Sequence, residues 1–181
     1  MGRAHGWDRN VDEARRVQLR QQYDIDDFYG MYTFYDLAFN VRPTDIQGFI
    51  GATQMEYVDE IVRLRESHFK SFHKVVFDNP QLNALQVDHM DLVSNFAYPV
   101  LCSSYTISNK YQDACRGAGI EIRPIVAGSM VEQPFYKKYV SDRSKFPNAH
   151  DVHEKGFYLP NHPDLTQEEV ERIVTILSTP V

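Results

Sequence analysis

Two histidines in one predicted helix are the first residues whose types and spacing could bind a metal ion. His150 and His153 are three positions apart, with Asp151 and Glu154 beside them, so imidazole and carboxylate groups would lie on neighbouring parts of one helix surface. A zinc site also needs a third ligand at a fixed spacing, and this sequence supplies none. The pattern therefore favours a polar helix surface, and we expect no metal site.

A third histidine, His162, lies in the segment Leu-Pro-Asn-His-Pro at 159–163, just before the last predicted helix. Histidine can act as a general acid or base near neutral pH. Between two prolines at a turn, however, its expected role is a hydrogen bond that holds the turn. We therefore do not assign catalysis to His162.

Arg123 and Asn40 are side chains that could bind an anion. The Arg123 guanidinium is a planar donor suited to carboxylate or phosphate groups, although a solvated charge at a strand end is the plain alternative. The Asn40 amide can donate to a phosphate. It can also simply lead the chain into the following helix, because asparagine is common in turns. From the residues alone, both alternatives stay open at each position.

Hydrophobic periodicity predicts the elements that must position these residues. Helices are expected at 11–22, 44 to about 74, 107–116, 134–139, 147–155 and 166–178. Strands are expected at 84–88, 94–102, 120–126 and 157–159. The aromatic segment at 28–39 is expected to be extended or hairpin-like, because it is rich in residues that favour strands.

Two local signals sharpen the helix predictions. Thr166 and Glu169 have the spacing of a capping box, in which a hydroxyl and a carboxylate cap a helix start reciprocally. Gly48 and Gly51 are costly inside a helix unless a neighbouring backbone packs against them. We therefore expect close packing at these two glycines and a helix break near Gly51.

These elements predict an α+β fold with a small, largely antiparallel sheet and helices packed on one face. A long helix and an aromatic interface arm precede the sheet. The expected division is an N-terminal arm and interface segment at 1–43, followed by a small α+β domain at 44–181.

The composition argues against nucleic-acid binding and against membrane insertion. The 181 residues carry a formal net charge of −6 and no long basic run, whereas nucleic-acid phosphates are bound by clustered lysine and arginine. No stretch approaches the roughly 18 apolar residues of a membrane span, and the first residues lack the apolar core of a signal peptide. Cys102 and Cys115 have no metal spacing, so we expect a reduced, cytoplasmic protein.

Four segments, in order along the chain, resemble the DegT/DnrJ/EryC1/StrS group of pyridoxal-phosphate (PLP) sugar aminotransferases and dehydratases. They are His-Gly-Trp-Asp-Arg at 5–9 and the segments at 39–51, 119–139 and 156–170. The resemblance implies the small C-terminal domain of a fold-type-I PLP enzyme. Such enzymes are homodimers with active sites at the subunit interface, and they act on nucleotide-linked keto-sugars in surface polysaccharide or deoxysugar biosynthesis.

The resemblance also implies roles for individual residues. Asn40 matches an asparagine that reaches across the dimer to the cofactor phosphate of the other subunit. Arg123 matches the arginine of an Arg-Pro-Ile-Val-x-Gly pattern in the sugar 3-dehydratase branch, which implies substrate binding by Arg123 and Ser129. Gly128-Ser129 stands where the aminotransferase branch carries Leu-His, so the resemblance favours a dehydratase-like parent over an aminotransferase.

The lysine that forms the Schiff base with PLP lies, in the family, upstream of the His-Gly-Trp-Asp-Arg segment. No lysine of this chain has that sequence context, so we expect no catalytic residue here. PLP would belong to the parent enzyme without a covalent bond to this chain, and the chain alone would be inactive.

Two other functions stay open. The first is a non-catalytic module of the same fold that mediates oligomerisation or binds a nucleotide sugar. The second is a metal hydrolase that uses the histidines. We expect self-association both for a fragment of a PLP enzyme and for a non-catalytic module of the same fold. The reason is that the aromatic segment at 28–39 and the glycine-containing helix would need partner surfaces.

Overall fold

The computed structural model describes residues 8, 11–36, 44–141 and 146–181. The chain divides into two compact units: unit 1 contains residues 1–44 and 123–153, and unit 2 contains residues 45–122 and 154–181. The division predicted at 43/44 stays a prediction.

The described residues form helices and short strands, as the predicted α+β fold requires. The helices are α1 (Glu13–Tyr23), α2 (Asp27–Gly30), α3 (Asp45–Gln54), α4 (Val58–Asp78), α5 (Tyr105–Gly117), α6 (Pro134–Tyr139), α7 (Pro147–Lys155) and α8 (Gln167–Ser178). The strands are β1 (Ala97–Leu101), β2 (Arg123–Pro124) and β3 (Gly156–Pro160).

In unit 2, β1 pairs antiparallel with β3, so that Ala97 lies opposite Pro160 and Leu101 opposite Gly156. Strand β1 is an edge strand, a position that suits Pro99 because proline has no N–H to donate to a second neighbouring strand. Helices α4, α5 and α8 pack with these strands around one apolar core. Its buried side chains include Phe69, Phe72, Val76, Tyr98, Val100, Phe157, Leu159, Ile173 and Leu177.

Local capping determines where α8 begins, and the predicted capping box is confirmed. The Glu169 backbone N–H donates to Thr166 Oγ1 at 3.3 Å, and the Thr166 N–H donates to Glu169 Oε2 at 2.8 Å. These bonds to Thr166 lower the pKa of Glu169, because they stabilise its ionised form.

Asn161 in the turn before α8 is fully buried and joins three parts of unit 2. Its Nδ2 donates to the backbone oxygen of Arg65 in α4 at 3.1 Å and to that of Asn95, before β1, at 2.8 Å. The neighbouring His162 is exposed, and its Nδ1 accepts from the Asp164 N–H at 3.2 Å. The predicted turn-holding role of His162 is therefore confirmed.

A buried ion pair organises unit 1. The carboxylate of Asp8, which has no exposed surface, accepts from Arg20 Nη2 at 2.6 Å, Arg20 Nε at 2.9 Å and the Tyr35 hydroxyl at 2.9 Å. The hydrogen bond to Asp8 raises the pKa of Arg20, and burial together with Asp8 raises the pKa of Tyr35. A side chain at Gly30 would collide with the Arg20 guanidinium, since a Cβ there would lie 2.3 Å from Arg20 Cζ.

The structure corrects the prediction of an extended segment from residue 28. The described part of that segment begins with the helical turn α2, because the Asp26 side chain accepts the Phe28 N–H at 2.8 Å and caps it. Side-chain capping thus overrides the strand preference of the aromatic residues. Residues 37–39 lie outside the described residues.

Two predicted strands are also wrong. Residues 84–88 have no strand partner, and the adjoining segment makes only an isolated bridge between Leu82 and Cys102. The strand predicted at 120–126 is reduced to β2, because the chain turns at Val126, whose φ of 38° is incompatible with a strand.

The long helix is interrupted at a different place from the predicted one. The irregular turn is at Met55–Tyr57 and not at Gly51. Among the described residues the expected close packing is also absent, because a Cβ built at Gly48 or Gly51 meets no atom within 4 Å beyond its chain neighbours and its own helix backbone. The remaining predicted helices and strands are confirmed, apart from shifts of a few residues at some ends.

The two cysteines are free and buried. Burial raises the pKa of the Cys102 thiol to about 12 and that of Cys115 to about 11. Neither is thus primed as a thiolate nucleophile. Separately, no helix in the described part of the chain has the length and apolar character to cross a membrane.

His68 in α4 gives unit 2 a predicted pH dependence. It is 9% exposed, and burial lowers its pKa, partly offset by the polar groups of His162 and Asn161. The pKa in the folded state therefore lies below the unfolded value of about 6.5. Protonation favours the unfolded state, so this contribution is complete above about pH 6.5 and is lost as the pH falls.

We therefore expect the free energy of unfolding, measured by urea denaturation, to fall more steeply from pH 7 to pH 5 in the wild type than in His68→Gln. The carboxylates are common to both proteins and cancel in this comparison. Replacement of the exposed His89 in His89→Gln is the matched control and should leave the wild-type pH dependence. Equal pH dependence in His68→Gln and the wild type would contradict the prediction.

Candidate functional site

A loop with unusual backbone geometry follows β2 in unit 1. Val126 has φ 38° and ψ 58°, and Gly128 has φ 72° and ψ −151°. The Gly128 N–H closes the turn by donating to the Ile125 oxygen at 2.8 Å. A β-branched residue with positive φ is strained, and such strain clusters at functional sites. Because Val126 is 74% exposed, its own packing does not offset the strain.

Ser129 is the buried residue of this loop, at 3% exposure. Its backbone N–H donates to Nδ1 of His153 at 3.2 Å, and its carbonyl oxygen accepts the Glu132 N–H at 3.1 Å. Because Nδ1 accepts a hydrogen bond, a neutral His153 ring carries its proton on Nε2. The loop is thus held by an imidazole from a distant part of the sequence.

Tyr29 of α2 holds this histidine in turn. The two rings stack with centroids 4.3 Å apart and planes 26° from parallel, and the Tyr29 hydroxyl donates to the His153 carbonyl oxygen. Both hydrogen bonding and stacking therefore restrict the orientation of His153, and through it the backbone at Ser129.

The neighbouring segment contributes further contacts within unit 1. The side-chain oxygen of the buried Gln133 accepts the Phe34 N–H at 3.0 Å, and the Phe135 N–H donates to the Phe34 oxygen at 3.2 Å. At the end of α6, Lys138 forms an ion pair of 2.9 Å with Asp36. The loop is therefore flanked by β2 and by residues 133–138. Strand β2 contacts α2, and residues 133–138 contact residues 34–36, which follow α2.

Gly128 cannot be replaced without disturbing this loop. A Cβ at Gly128 would lie 2.0 Å from His153 Nδ1, and its backbone conformation is one that L side chains rarely adopt. We expect Gly128→Ala to lower the free energy of unfolding by about 1–3 kcal/mol.

Thermal and urea denaturation followed by circular dichroism would measure this loss. Gly117→Ala is the matched control, because a Cβ there meets nothing within 4 Å and the residue is helical. It should be neutral or stabilising. A loss at Gly128 no larger than at Gly117 would show that the loop accommodates the side chain.

The predicted site residues are placed as follows. Arg123 is half-buried in β2, and Ser129 lies six positions later in the same loop, so one segment carries both. Arg123 takes part in a contact of its own within the fold. Asn40 lies outside the described residues. The proposed roles of these three residues in binding stay predictions.

The histidines considered for a metal have other surroundings. His153 binds the Ser129 backbone and Tyr29, as described above, and His150 is exposed on α7. Among the described residues, no group of three or more His, Cys, Asp and Glu side chains is arranged to hold a metal ion.

Sequence reasoning did not identify His153 and Tyr29 as supports for Ser129. They are separated by 124 positions, and neither occurs in a motif that signals the contact. The one local signal is Gly128, because a glycine next to a proposed binding residue suggests a backbone conformation or a close contact that excludes a side chain.

Comparison with known proteins agrees with the family resemblance of the four sequence segments. The model of the family described as "DegT/DnrJ/EryC1/StrS aminotransferase family" matches residues 3–178. The GDP-4-keto-6-deoxy-D-mannose 3-dehydratase of Escherichia coli O55:H7 is 26% identical over 177 residues, which are 97% of this chain and 45% of that protein. The GDP-perosamine synthase of Caulobacter vibrioides is 28% identical over 151 residues, or 81% of this chain and 39% of that protein.

Solved structures share the fold. A GDP-4-keto-6-deoxymannose-3-dehydratase with a trapped PLP-glutamate geminal diamine has a TM-score of 0.64 at 24% identity, covering 97% of this chain and 45% of its own. The putative sugar aminotransferase Spr1654 from Streptococcus pneumoniae in its PMP form has a TM-score of 0.65 at 18% identity, covering 93% and 45%. This chain therefore spans slightly less than half the length of the proteins it matches.

Proposed function

Because the chain belongs to the DegT/DnrJ/EryC1/StrS aminotransferase family, we propose that it is the C-terminal portion of a PLP-dependent enzyme that acts on nucleotide-linked keto-sugars. The observation that carries this proposal is the family match over residues 3–178 combined with a coverage of 45% of the E. coli relative. In this proposal the whole enzyme is cytoplasmic, self-associates and serves surface polysaccharide or deoxysugar biosynthesis.

The described residues do not fit covalent attachment of PLP. Schiff-base lysines are activated by a desolvated or cationic environment, but Lys70, Lys74, Lys110, Lys137 and Lys138 are exposed on helices and Lys155 is only half-buried. Three of them form ion pairs, with Glu66, Glu132 and Asp36. Lys145 lies outside the described residues. In this proposal PLP is attached to another part of the whole enzyme.

This chain would contribute to substrate binding. The Arg123 guanidinium can donate two parallel hydrogen bonds to a phosphate of the nucleotide. The loop that contains Ser129, held by His153, would lie against the sugar, and Asn40 would donate to the cofactor phosphate of a second subunit. The substrate binds through the loop of β2 and Ser129 in this proposal, while the reactive group comes from elsewhere.

The loop geometry favours a dehydratase over an aminotransferase. The aminotransferase branch that the sequence resembles carries Leu-His where this chain has Gly128-Ser129. A leucine at 128 would place its Cβ 2.0 Å from His153 Nδ1 with φ 72°. A leucine at 128 would thus conflict with His153 in this loop, and this conflict supports our proposal of a 3-dehydratase parent.

We expect the purified chain to form no covalent PLP adduct. After addition of PLP, it should lack the absorbance band of an internal aldimine, and borohydride reduction followed by mass spectrometry should find no specifically labelled lysine. A Lys-to-Arg series over the seven lysines would separate specific labelling from random surface labelling. One stable adduct, abolished by one substitution, would contradict the proposed division of labour.

The reading frame upstream of the Met1 codon tests the fragment proposal itself. An open frame that continues into a lysine-containing cofactor segment is the expected result. A promoter and a ribosome-binding site directly before Met1 would instead favour the non-catalytic module. The exposed lysines of the described region are compatible with such a module, which needs no Schiff-base lysine.

A further inference from the structure

The loop that carries Ser129 lies between two anchored segments of unit 1; we call residues 125–132 the Ser129 loop. Strand β2 precedes it and contacts α2. Gln133 follows it, and its side-chain oxygen accepts the Phe34 N–H at 3.0 Å. Within the loop, Val126 keeps φ 38° while it is 74% exposed, so a change of conformation would relieve backbone strain. The conformation therefore depends on contacts that hold the loop in place.

One of these contacts exists in only one protonation state. The Ser129 backbone N–H donates to Nδ1 of His153 at 3.2 Å. Because Nε2 carries the proton of the neutral ring, a second proton goes to Nδ1, which then becomes a donor. Protonation would therefore place two donors opposite each other. Ser129 is 3% exposed, so water is a poor substitute for the lost acceptor.

The His153 ring has little freedom to turn away. Tyr29 stacks on one of its faces, with ring centroids 4.3 Å apart, and the Tyr29 hydroxyl donates to the His153 carbonyl oxygen. The loop backbone lies against the edge of the ring, because a Cβ at Gly128 would be 2.0 Å from Nδ1. The ring is thus held at α7, and the Ser129 loop is the part that would move.

Other charged and titratable groups lie on the elements around His153. The carboxylates of Asp27 in α2 and Glu132 in the Ser129 loop form ion pairs of 3.1 Å with Arg20 and Lys137. Further groups of this kind are Tyr29 in α2, Arg123 in β2 and, close to His153 along α7, His150, Asp151 and Glu154. Ser129 itself bonds to His153 Nδ1 and to the Glu132 backbone N–H. Among the described residues, the His153 ring is therefore the titratable group bonded directly to the backbone of Ser129.

From this geometry we propose that His153 is a pH-dependent latch on the Ser129 loop. The neutral ring holds the loop in the conformation with Ser129 buried, and protonation releases it. Histidine ordinarily takes up its proton between about pH 5 and pH 8. Since the held conformation binds the neutral ring and excludes the protonated one, the latch is complete at high pH and is lost as the pH falls.

The latch deepens the proposed function, and its consequence for the substrate rests on that proposal. There, Arg123 would bind a phosphate of the nucleotide, and the Ser129 loop would lie against the sugar. Release of the loop would remove the second contact and leave the first, so the nucleotide sugar should bind less tightly at acid pH. Because His153 acts through the Ser129 backbone, it is a positioning residue and not a catalytic residue.

Nuclear magnetic resonance of the nitrogen-15-labelled chain tests the latch. At about pH 8 we expect a scalar coupling across the hydrogen bond between the Ser129 nitrogen and His153 Nδ1. Toward about pH 5 this coupling should disappear as the ring takes up its proton. The exchange protection of the Ser129 amide should fall about tenfold for each pH unit below the midpoint, which is the slope of one coupled proton. Unchanged coupling and protection across this range would overturn the proposal.

Two substitutions of His153 separate protonation from support. In His153→Asn the asparagine oxygen can accept the Ser129 N–H in place of Nδ1 but takes up no proton, so the amide should stay protected across the pH range. In His153→Leu it should be unprotected throughout. His150→Gln is the matched control, since His150 is exposed on α7, and it should keep the wild-type titration.

A loop that titrates equally in His153→Asn and in the wild type would assign the pH dependence to another group and overturn the latch. Circular dichroism at each pH would confirm that the fold is intact. Where a substitution prevents folding, the wild-type pH series alone decides the proposal.

These outcomes are separable from the fate of the proposed function. A specific PLP adduct on this chain would refute the division of labour and leave the latch standing. A Ser129 amide that does not respond to pH would refute the latch, while the family membership and the fragment proposal would remain unchanged.

Discussion

Asp8→Ala is expected to destabilise unit 1 by about 3–5 kcal/mol, the usual cost of removing one partner of a buried ion pair. The substitution leaves the Arg20 guanidinium, whose side chain is 20% exposed, without the carboxylate that accepts its two hydrogen bonds. It also removes the acceptor of the buried Tyr35 hydroxyl. Loss of the buried carboxylate leaves the guanidinium with only its exposed partner Asp27, and this poorly compensated charge, more than the lost attraction, accounts for the size of the effect.

Hydrogen exchange and proteolysis of the α1 region would locate this loss in unit 1, and urea denaturation would measure it. The matched control is a substitution of Asp27, the second ion-pair partner of Arg20. Asp27 is 97% exposed, and its carboxylate lies 3.1 Å from Arg20 Nη1. Asp27→Ala should cause no measurable loss, because solvent screens an exposed pair. Similar losses for both substitutions would mean that burial does not determine the strength of this pair.

Asn161→Ala is expected to destabilise unit 2 by about 2–4 kcal/mol, since each buried polar group left without its partner costs about 1–3 kcal/mol. Two carbonyl oxygens, those of Arg65 and Asn95, lose their shared donor. Water cannot easily replace it, because Asn161 has no exposed surface. The turn before α8 would then separate from α4.

His162→Ala is the matched control for this prediction. It changes the next residue of the same motif, but the His162 side chain is 61% exposed and its contacts are confined to Asp164. We expect a loss at least 1 kcal/mol smaller than that of Asn161→Ala, in line with ordinary surface substitutions. If His162→Ala proved the more damaging change, the structural role would belong to the histidine.

The Asn161 result would explain the most recognisable motif of the chain in physical terms. Within Leu-Pro-Asn-His-Pro, the histidine is the residue type that suggests catalysis. The asparagine, however, makes the hydrogen bonds that connect the turn before α8 with α4 and with the segment before β1. The motif therefore marks a structural contact within unit 2 and does not indicate a reaction.

Local signals in the sequence were sufficient for most helices. The bounds predicted for α6 and α7 agree with the structure, and the Thr166 capping box marks the start of α8 as predicted. Periodicity and capping act over a few residues, so a single sequence contains the required information. The same reasoning failed for α2, where one side-chain cap outweighed a run of strand-forming residues.

The site was only partly predictable. The motifs drew attention to Arg123 and Ser129, and the family assignment that they implied is confirmed. The contacts that hold Ser129, from His153 and Tyr29, could not be read from spacing, because they join residues 24 and 124 positions apart. A histidine next to acidic residues suggested metal chemistry, whereas the neighbours of His153 in the structure include the Ser129 backbone N–H and the ring of Tyr29.

By itself the sequence determined the α+β class and the capped helices, because these follow from short-range patterns. It also determined the membership in a family of PLP-dependent sugar enzymes, because that follows from sequence motifs. Only the tertiary structure decided which polar residues are buried. Asp8, Asn161 and His153 take their roles from partners that folding brings to them. The exposure of α3 was likewise settled by folding, since a sequence does not show whether an apolar face finds a neighbour in its own chain.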